Sequence, residues 1–410
     1  MNLFSFFKQR LAIPVKLIVY LDAGKGNARG AIVEIRKGIP HILYTILGEQ
    51  RVGESINGVK SFNSSSLSSL EEILEQTARL LQKTAKGENN YVAEEVYCIL
   101  AAPYYLSHTS IINYKSEKPT LITQNLIKDI INAKQPETLP SHLDADIGDN
   151  RKTLHEKIVE IKINGYHSNN PYNKQALEVS VAIFRTQVEL ELYQNITRIV
   201  KKFTEAPLYI ESLSLSTFVA LRNRLDAEAN FIFITVGNEV TEVSLVKEHT
   251  LLETGSFPFG KYSLARLLSK KMFMPPDIAL SKVALFHDKK LHVDEMSKLK
   301  PIIDETQAEW FSYLEKTIVT LSEETSVPNQ IYLIVDTDLK DIFENTITQK
   351  GFAGQTLVPD GFSIHTMDTA KFADCCTFGL DIRFDTLLAI SASFAGAAKE
   401  VVTELYPQKP

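Results

Sequence analysis

The sequence is poor in the features that most quickly assign a chain to a class. It has three cysteines among 410 residues, Cys98, Cys375 and Cys376, which are too few for a disulfide framework. We therefore expect reduced, structural thiols and a cytoplasmic protein. Excess positive charge is also missing, because the formal net charge is −6. Without a basic field, nucleic acid is not an expected partner.

Long hydrophobic runs are absent as well. No apolar stretch approaches the ~20 residues that a bilayer-spanning helix needs. Residues 1–14 place Leu3, Phe4, Phe7 and Leu11 on one helical face, but the segment is too short and too polar for a secretion signal. Two interpretations stay open. The segment is either a weak amphipathic tether on a membrane surface or a leader that packs on the body or is disordered.

The composition that remains is that of an ordinary globular protein, with 44% apolar and 23% charged residues. A chain of 410 residues is long enough for more than one domain, each with its own core.

The first strong local pattern is a predicted β-hairpin. The apolar, β-branched run Lys16–Leu21 meets the turn Asp22–Asn27, and a second such run, Ala31–Ile35, follows at once. Two strands joined by a glycine-containing turn are typical of a hairpin. A later helical stripe covers residues 70–81, preceded by the serine-rich stretch 61–69, which predicts a linker ending in a helix N-cap.

The turn of this hairpin has residues suited to an anion. Backbone N–H groups of closely spaced glycines, Gly24 and Gly26 here, can surround a phosphate. Lys25 would offset phosphate charge, and Asp22 would hold a Mg²⁺-bound water. A dinucleotide fingerprint is excluded because a strand, not a helix, follows the glycines. No Gly-Lys-Ser/Thr sequence follows either, which excludes a Walker loop.

The same pattern returns in the second half of the chain. Phe231–Val236 predicts a strand, Gly237–Glu239 a turn and Thr241–Val246 a returning strand. Between the two hairpins, the order strand, helix, strand, strand, helix predicts a separate compact unit. Two halves that begin alike suggest a duplication and a two-lobed α/β protein.

Together these motifs resemble the actin-like ATPase superfamily, specifically the FtsA family of bacterial cell division and the PilM family of type IV pilus assembly. The most specific match resembles the strand pair and Asn-Pro loop of the subdomain inserted in FtsA. The motifs that carry the resemblance are Asp22-Ala23-Gly24 with Ala31–Glu34, Ile161–Tyr166 with Asn170-Pro171 and Leu177–Val179, Gly237-x-Glu239-x-Thr241, and Pro275–Lys282.

The resemblance implies a duplicated, ribonuclease-H-like fold of two lobes. Its first lobe would comprise residues 15–90 and 207–228 with a helix at 385–400, and its second lobe residues 229–384. Residues 91–206 would form an inserted SHS2-type subdomain. ATP and Mg²⁺ would bind between the lobes. The nucleotide-binding residues would be Asp22, Gly24, Lys25, Gly26, Asn27, Gly237, Asn238, Thr241 and Lys282, with Asp22 also holding the metal through water.

Departures from the family pattern weaken this expectation. The second phosphate loop usually begins with Asp and continues Gly-Gly-Gly-Thr, whereas Thr235, Asn238, Glu239 and Val240 stand at those places. Glu239 would bring negative charge towards a phosphate. The adenosine loop usually carries glycines, but this chain has Val335–Leu339 there, with two aspartates. We expect no catalytic residues, at most a weak ATPase, and weak or lost nucleotide binding.

Two functional hypotheses follow from the resemblance. The first is a non-enzymatic actin-like scaffold, cytoplasmic and peripheral to the inner membrane, that binds the cytoplasmic segment of a membrane protein and self-associates. Its docking groove would lie between the first lobe and the insert, near residues 111–114 and 177–183. The alternative is an ATP-binding, filament-forming ATPase like FtsA. A cell-division role and a pilus role both stay open, and a sugar-kinase-like enzyme is more distant because no catalytic carboxylate can be placed.

Overall fold

A computed structural model of the chain describes residues 11–23, 28–48, 59–86, 89–133, 150–168, 170–224, 229–321, 327–336, 339–350, 362–372, 374–401 and 403–404.

The described strands follow the chain in this order: β1 (Ala12–Leu21), β2 (Ala28–Arg36), β3 (Ile39–Leu47), β4 (Asn90–Leu100), β5 (Tyr105–Leu121), β6 (Arg151–Ile163), β7 (Tyr166–His167), β8 (Gln175–Glu189), β9 (Leu208–Ser212), β10 (Phe231–Val236), β11 (Thr241–Lys247), β12 (Thr250–Phe257), β13 (Gln330–Ile334), β14 (Ser363–Thr366), β15 (Thr377–Phe378) and β16 (Thr403–Glu404). The helices are α1 (Val59–Lys86), α2 (Gln124–Ala133), α3 (Leu190–Lys201), α4 (Leu213–Arg224), α5 (Lys261–Met272), α6 (Pro276–His287), α7 (Val293–Leu321), α8 (Lys340–Lys350), α9 (Thr369–Phe372) and α10 (Thr386–Val401).

Two sheets repeat one topology. In the first, the order is β15-β3-β2-β1-β4-β9; β1 to β3 pair antiparallel, and β4 and β9 continue parallel to β1. In the second, β12, β11 and β10 form the same antiparallel meander, and β13 and β14 continue parallel to β10. The predicted two-lobed, duplicated α/β fold is confirmed.

Two helices between the sheets join the lobes into one core. Helices α4 and α10 pack on each other, and their apolar side chains form one buried cluster with residues of both sheets. Tyr20 of β1, Phe233 of β10, Phe218 of α4 and Phe394 of α10 all belong to it and are essentially inaccessible to solvent. Burial of aromatic side chains of this size dominates core energetics, so separating the lobes would expose this shared surface.

The elements between β4 and β9 in the chain form a unit with its own small core. Strands β5, β8 and β6 pair antiparallel, and α2 covers one face through Ile127, Ile130 and Ile131. This small sheet continues the second sheet, because His108 of β5 pairs with Glu253 of β12. The sequence pattern missed β5, the longest strand of the unit. The predicted domain boundaries stay predictions.

The serine-rich stretch is helix, and the predicted linker was wrong. Helix α1 includes residues 61–69. Ser69 donates to the carbonyl oxygen of Ser65, 3.0 Å away, and Ser66 is buried against Tyr104 and the backbone of Asp22. Because both hydroxyls have partners in the folded chain, they no longer favour the non-helical conformations that make serine a frequent linker residue.

At the start of the chain, β1 begins at Ala12, so residues 12–14 of the predicted leader lie in this strand. Residues 1–10 lie outside the described residues, so the tether interpretation stays a prediction. Among the helices that are described, none is both long and apolar enough to cross a membrane.

The packing of α1 on the first sheet gives a prediction at Gly30. A Cβ at Gly30 of β2 would lie 2.6 Å from Cγ2 of Ile73 on α1. Gly30→Ala should lower the free energy of unfolding by about 1–3 kcal/mol through overpacking, and Ile73→Ala by about 2–5 kcal/mol through a cavity. In the double variant the cavity left at Ile73 accommodates the new methyl group at Gly30. The stability lost by the double variant should therefore be smaller than the sum of the losses in the two single variants. Urea denaturation of the four proteins measures this, and strict additivity would contradict the contact.

Candidate site in the interlobe cleft

Asp22 follows β1 and faces the second lobe. Its side chain is buried, and its two carboxylate oxygens accept separate backbone hydrogen bonds, from Ala23 N–H at 2.7 Å and from Asn238 N–H at 3.1 Å. The second of these bonds links the predicted first and second phosphate loops directly. The Asp22 carboxylate is therefore bound to a backbone N–H group of the second loop that would otherwise be available to a phosphate.

The second loop is held tightly by the start of α5. Carbonyl oxygens of Gly237 and Asn238 accept from the N–H groups of Lys261 and Tyr262, at 3.0 and 2.8 Å. A Cβ at Gly260 would lie 2.5 Å from the carbonyl oxygen of Asn238, so the close approach of the loop and the helix requires glycine there. The N–H of Gly237 donates within the loop, to Val240 at 2.9 Å. The loop is a rigid, internally bonded turn.

A buried guanidinium links the two lobes beside this loop. Arg29 of β2 pairs with Asp385, which precedes α10, with Nη1 and Oδ2 2.6 Å apart. Its Nη2 lies 3.7 Å from Oδ1 of Asp336, which follows β13 of the second sheet. Asp336 also pairs with Lys261 of α5, with 2.6 Å between Nζ and Oδ2. Asp385 in turn caps α10, accepting from Leu388 N–H at 3.0 Å.

These residues surround a cavity of about 300 Å³ between the lobes. Three cations and two carboxylates line it: Arg29, Lys261, Arg383, Asp336 and Asp385. Ion pairs with Arg29 and Lys261 neutralise both carboxylates. Asp336, which in the sequence looked repulsive to a triphosphate, is therefore part of a side-chain network that spans the cleft.

The electrostatics of the cleft follow from burial and these pairs. Burial raises the pKa of Asp22 to about 6, although the N–H of Asn238, the charge of Arg29 and the N–H of Ala23 all act to lower it. Burial alone would also raise the pKa of Asp336, but Lys261 and Arg29 hold that pKa below its ordinary value. Burial alone would lower the pKa of the Arg29 guanidinium. The negative charges of Asp385 and Asp336 outweigh this effect and raise that pKa.

The predicted site residues are only partly brought together. Gly24, Lys25, Gly26 and Asn27 lie outside the described residues. Asp22, Gly237 and Asn238 meet in the cleft, as described. Thr241 and Lys282 are engaged elsewhere.

Thr241 and Lys282 both interact with other protein groups. The buried hydroxyl of Thr241 donates to the carbonyl oxygen of Phe259 at 2.6 Å and accepts from Trp310 Nε1 at 3.0 Å. Lys282 of α6 forms an ion pair with Glu295 of α7 and does not line the cavity beside Arg29. The predicted roles of both residues in nucleotide binding stay predictions.

Glu239, expected to repel phosphate, is neutralised in the folded chain. Its carboxylate accepts two hydrogen bonds from the guanidinium of Arg266 on α5, at 2.9 and 2.6 Å. A bidentate pair of this kind is among the stronger charge-assisted interactions in proteins. Glu239 is therefore a second link between the loop and α5.

Three donors of the second loop are already engaged within the protein. The N–H groups of Gly237 and Asn238 and the hydroxyl of Thr241 all donate to protein oxygens. No group of three or more His, Cys, Asp or Glu side chains suited to a metal ion occurs in the part of the chain that the structure describes. Sequence reasoning missed Arg29, Lys261 and Asp385, because a single charged residue in a strand or at a helix start has no distinctive pattern.

The geometry defines the class: the protein has the fold of the actin-like ATPases, with a cleft between two related lobes. No protein-family model matches the chain, and no curated protein matches it.

Among solved structures, the chain is similar to a PilM–PilN type IV pilus biogenesis complex, with 10% identity, a TM-score of 0.58, and coverage of 93% of this chain and 98% of that one. It is also similar to the ethanolamine utilization protein EutJ from Carboxydothermus hydrogenoformans, with 12% identity, a TM-score of 0.44, and coverage of 93% and 89%. At these identities the likeness concerns the fold alone.

The raised pKa of Asp22 predicts a pH dependence. Because the folded pKa of about 6 lies above the unfolded value of 3.8, the folded state binds more protons between these values, and stability falls as pH rises. The free energy of unfolding of the wild type minus that of Asp22→Asn should fall by up to ~3 kcal/mol between pH 4 and pH 7. Denaturation across this range measures it.

The matched control is Asp304→Asn, which removes an exposed carboxylate paired with Lys300 on the same helix. Its stability difference from the wild type should show no such fall. If the Asp22→Asn difference were flat, or rose with pH, the buried and desolvated carboxylate would be contradicted.

Proposed function

We propose that the protein is an actin-like adaptor, peripheral to the inner membrane, that binds the cytoplasmic segment of a membrane protein and binds nucleotide weakly or not at all. The observation that carries the proposal is the side-chain closure of the cleft. Arg29 lies 3.7 Å from Asp336 across the cleft, Lys261 pairs with Asp336 within the second lobe, and the Asp22 carboxylate accepts a hydrogen bond from the N–H of Asn238 in the second loop. A role in type IV pilus assembly rather than cell division is supported by the likeness to PilM, whose solved structure is a complex with PilN.

The closed cleft bears on the alternative, an ATP-switched filament former. A nucleotide that set the distance between the lobes would have to replace the contacts that already join them. A nucleotide that displaced Asp336 from Arg29 would bind against the attraction between these two charges, while Asp385 stays paired with Arg29. Hydrolysis is even less favoured, because the metal-ordering carboxylate of the family's second loop is replaced by Thr235.

A surface groove is the proposed docking site. It has a volume of about 320 Å³ and lies between the C-terminal half of α1, the start of β4 and the chain after α3. Its floor and walls are mainly apolar, and include Leu74, Leu81, Tyr91, Val92 and Phe203. Val92 is 47% exposed, so its side chain is accessible to a partner. An apolar groove of this shape suits the apolar face of a docked segment.

This groove lies between the first lobe and the end of the insert, but its residues differ from those predicted. Ile112, Val179, Val181 and Ile183 belong to the buried core that α2 covers. The apolar residues near 111–114 and 177–183 therefore divide between this core and the surface, where Ile111 and Leu177 are 47% and 48% exposed, and a groove there stays a prediction.

The groove can be tested in the native host by placing a photo-crosslinking amino acid at Val92, with Ile278 of α6 as the matched control position. The two side chains are similarly exposed, at 47% and 49%. Crosslinking at Val92 should capture one integral membrane protein through its cytoplasmic segment. Val92→Asp should release the protein from the membrane fraction, and Ile278→Asp should not.

Two results would contradict the docking proposal. One is the same adducts at both positions, which would show non-specific contact. The other is retention of Val92→Asp on the membrane at the wild-type level. Neither variant is expected to unfold the chain, because both side chains are half exposed in the folded state.

A further inference from the structure

The groove beside Val92 contains a strand edge that has no neighbouring strand. Strand β4 lies between β1 and β9 in the first sheet, but the two ladders differ in length. The β1 ladder covers β4 from Asn90 to Leu100, whereas the β9 ladder begins only at Val96. In the described part of the chain, residues 90–95 therefore pair with a strand on one side only, and we call their other side the open edge.

The alternation of the parallel ladder shows which backbone groups face the open edge. The carbonyl oxygen of Leu21 accepts from Ala101 N–H, so the odd-numbered residues of β1 point their N–H and C=O groups towards β4. A residue in register with one of these points its own groups to the opposite side. Ile13 is in register with Tyr91, so the N–H and C=O groups of Tyr91, and of Ala93 two residues on, face away from β1.

These backbone groups lie at the groove. Tyr91, Ala93 and Phe203 all line it. Among the described residues, the chain after α3 makes no backbone hydrogen bond with Tyr91 or Ala93. Unpaired N–H and C=O groups along a strand edge are a ready template for a further strand. The groove therefore offers main-chain hydrogen bonds as well as apolar contact, which is the combination used in binding by strand addition.

The two faces of β4 differ at the open edge. Tyr91 is 8% exposed and belongs to the core beneath α1, whereas Val92 is 47% exposed. A strand paired with this edge would follow the same alternation, so every second side chain would face Leu74 and Leu81 of the groove wall. We therefore expect apolar residues with a period of two in the bound segment.

The charges near the two ends of the groove have opposite signs. Glu94 and Glu205 are exposed, and each directly follows a residue that lines the groove. The last turn of α1, which leads into the start of β4, carries Lys83 and Lys86. Glu94 lies about 13 Å along the strand from Asn90. A cationic side chain is therefore favoured at the glutamate end, and Lys and Arg are the residues enriched in cytoplasmic segments near a membrane.

We propose that the segment bound in the groove adds to β4 as an extended strand, with apolar side chains at every second position and a Lys or Arg beside Glu94 and Glu205. This inference rests on the proposed docking function and names the kind of segment that docks. A helical segment would leave the open-edge groups of Tyr91 and Ala93 without partners.

The full chain and synthetic heptapeptides test this mode of binding. The probes alternate three valines with two threonines and carry lysine at one end and glutamine at the other, in both placements. At least one probe should bind saturably at millimolar concentration or below in calorimetric titration. Two further versions of it are N-methylated, one at the valines and the other at the threonines. Because an added strand pairs with β4 through one edge, one version should bind like the unmodified probe and the other at least tenfold more weakly.

Charge reversal tests the position of the lysine. Glu94→Lys should weaken binding of the probe at least threefold, because it places a like charge beside the peptide's lysine. The matched control is Glu117→Lys, which reverses an exposed carboxylate on β5 that does not line the groove. Binding to this control should equal binding to the wild type.

Strand addition is overturned if no probe binds at millimolar concentration, if the two methylated versions bind alike, or if a peptide with leucines at helical spacing binds more tightly. Any of these results, together with specific crosslinking of a membrane protein at Val92, would leave the adaptor function standing. Edge-specific peptide binding without such crosslinking would support strand addition and contradict the docking of a membrane protein.

Discussion

The buried guanidinium of Arg29 is the interaction on which the arrangement of the charged groups in the cleft depends. A charge removed from water in this way is stable only while its partners stay in place, because the desolvation of the guanidinium must be offset by Asp385 and Asp336. Those partners precede α10 and follow β13, so each ties β2 to a different part of the chain. Such a pair adds little net stability compared with an apolar contact. What it does provide is a single geometry for the groups that meet in the cleft.

The shared core and the cleft contacts reinforce each other. Helices α4 and α10 bury aromatic side chains from both sheets in one cluster, and this sets the lobes close enough for Asp22 to reach the N–H of Asn238. The contacts described across the cleft are made between protein groups. In this respect the chain retains the fold of the actin-like ATPases while its own side chains make the contacts between the lobes.

The sequence was informative where structure is local and much less so where it is not. The hairpins were predictable because strand alternation and turn residues lie within a few positions of one another, and their recurrence predicted the duplication. Strand β5 was not, because its buried residues include Ser107, His108 and Ser110, which do not form an apolar run. The pair of Arg29 and Asp385 joins residues far apart in the chain, so only the tertiary fold brings them together. Asp22 lies in the cleft, and its carboxylate there accepts a hydrogen bond from an amide of the second loop.

The most direct test of the account is the distance between the lobes with and without nucleotide. Cysteines introduced at the exposed positions Lys83 and Lys298 can carry spin labels for pulsed electron–electron double resonance, because the native cysteines are buried. The account predicts one narrow distance distribution that millimolar Mg-ATP leaves unchanged and that Arg29→Met broadens. A wild-type distribution that is broad without nucleotide and narrows or shifts when Mg-ATP is added would contradict it.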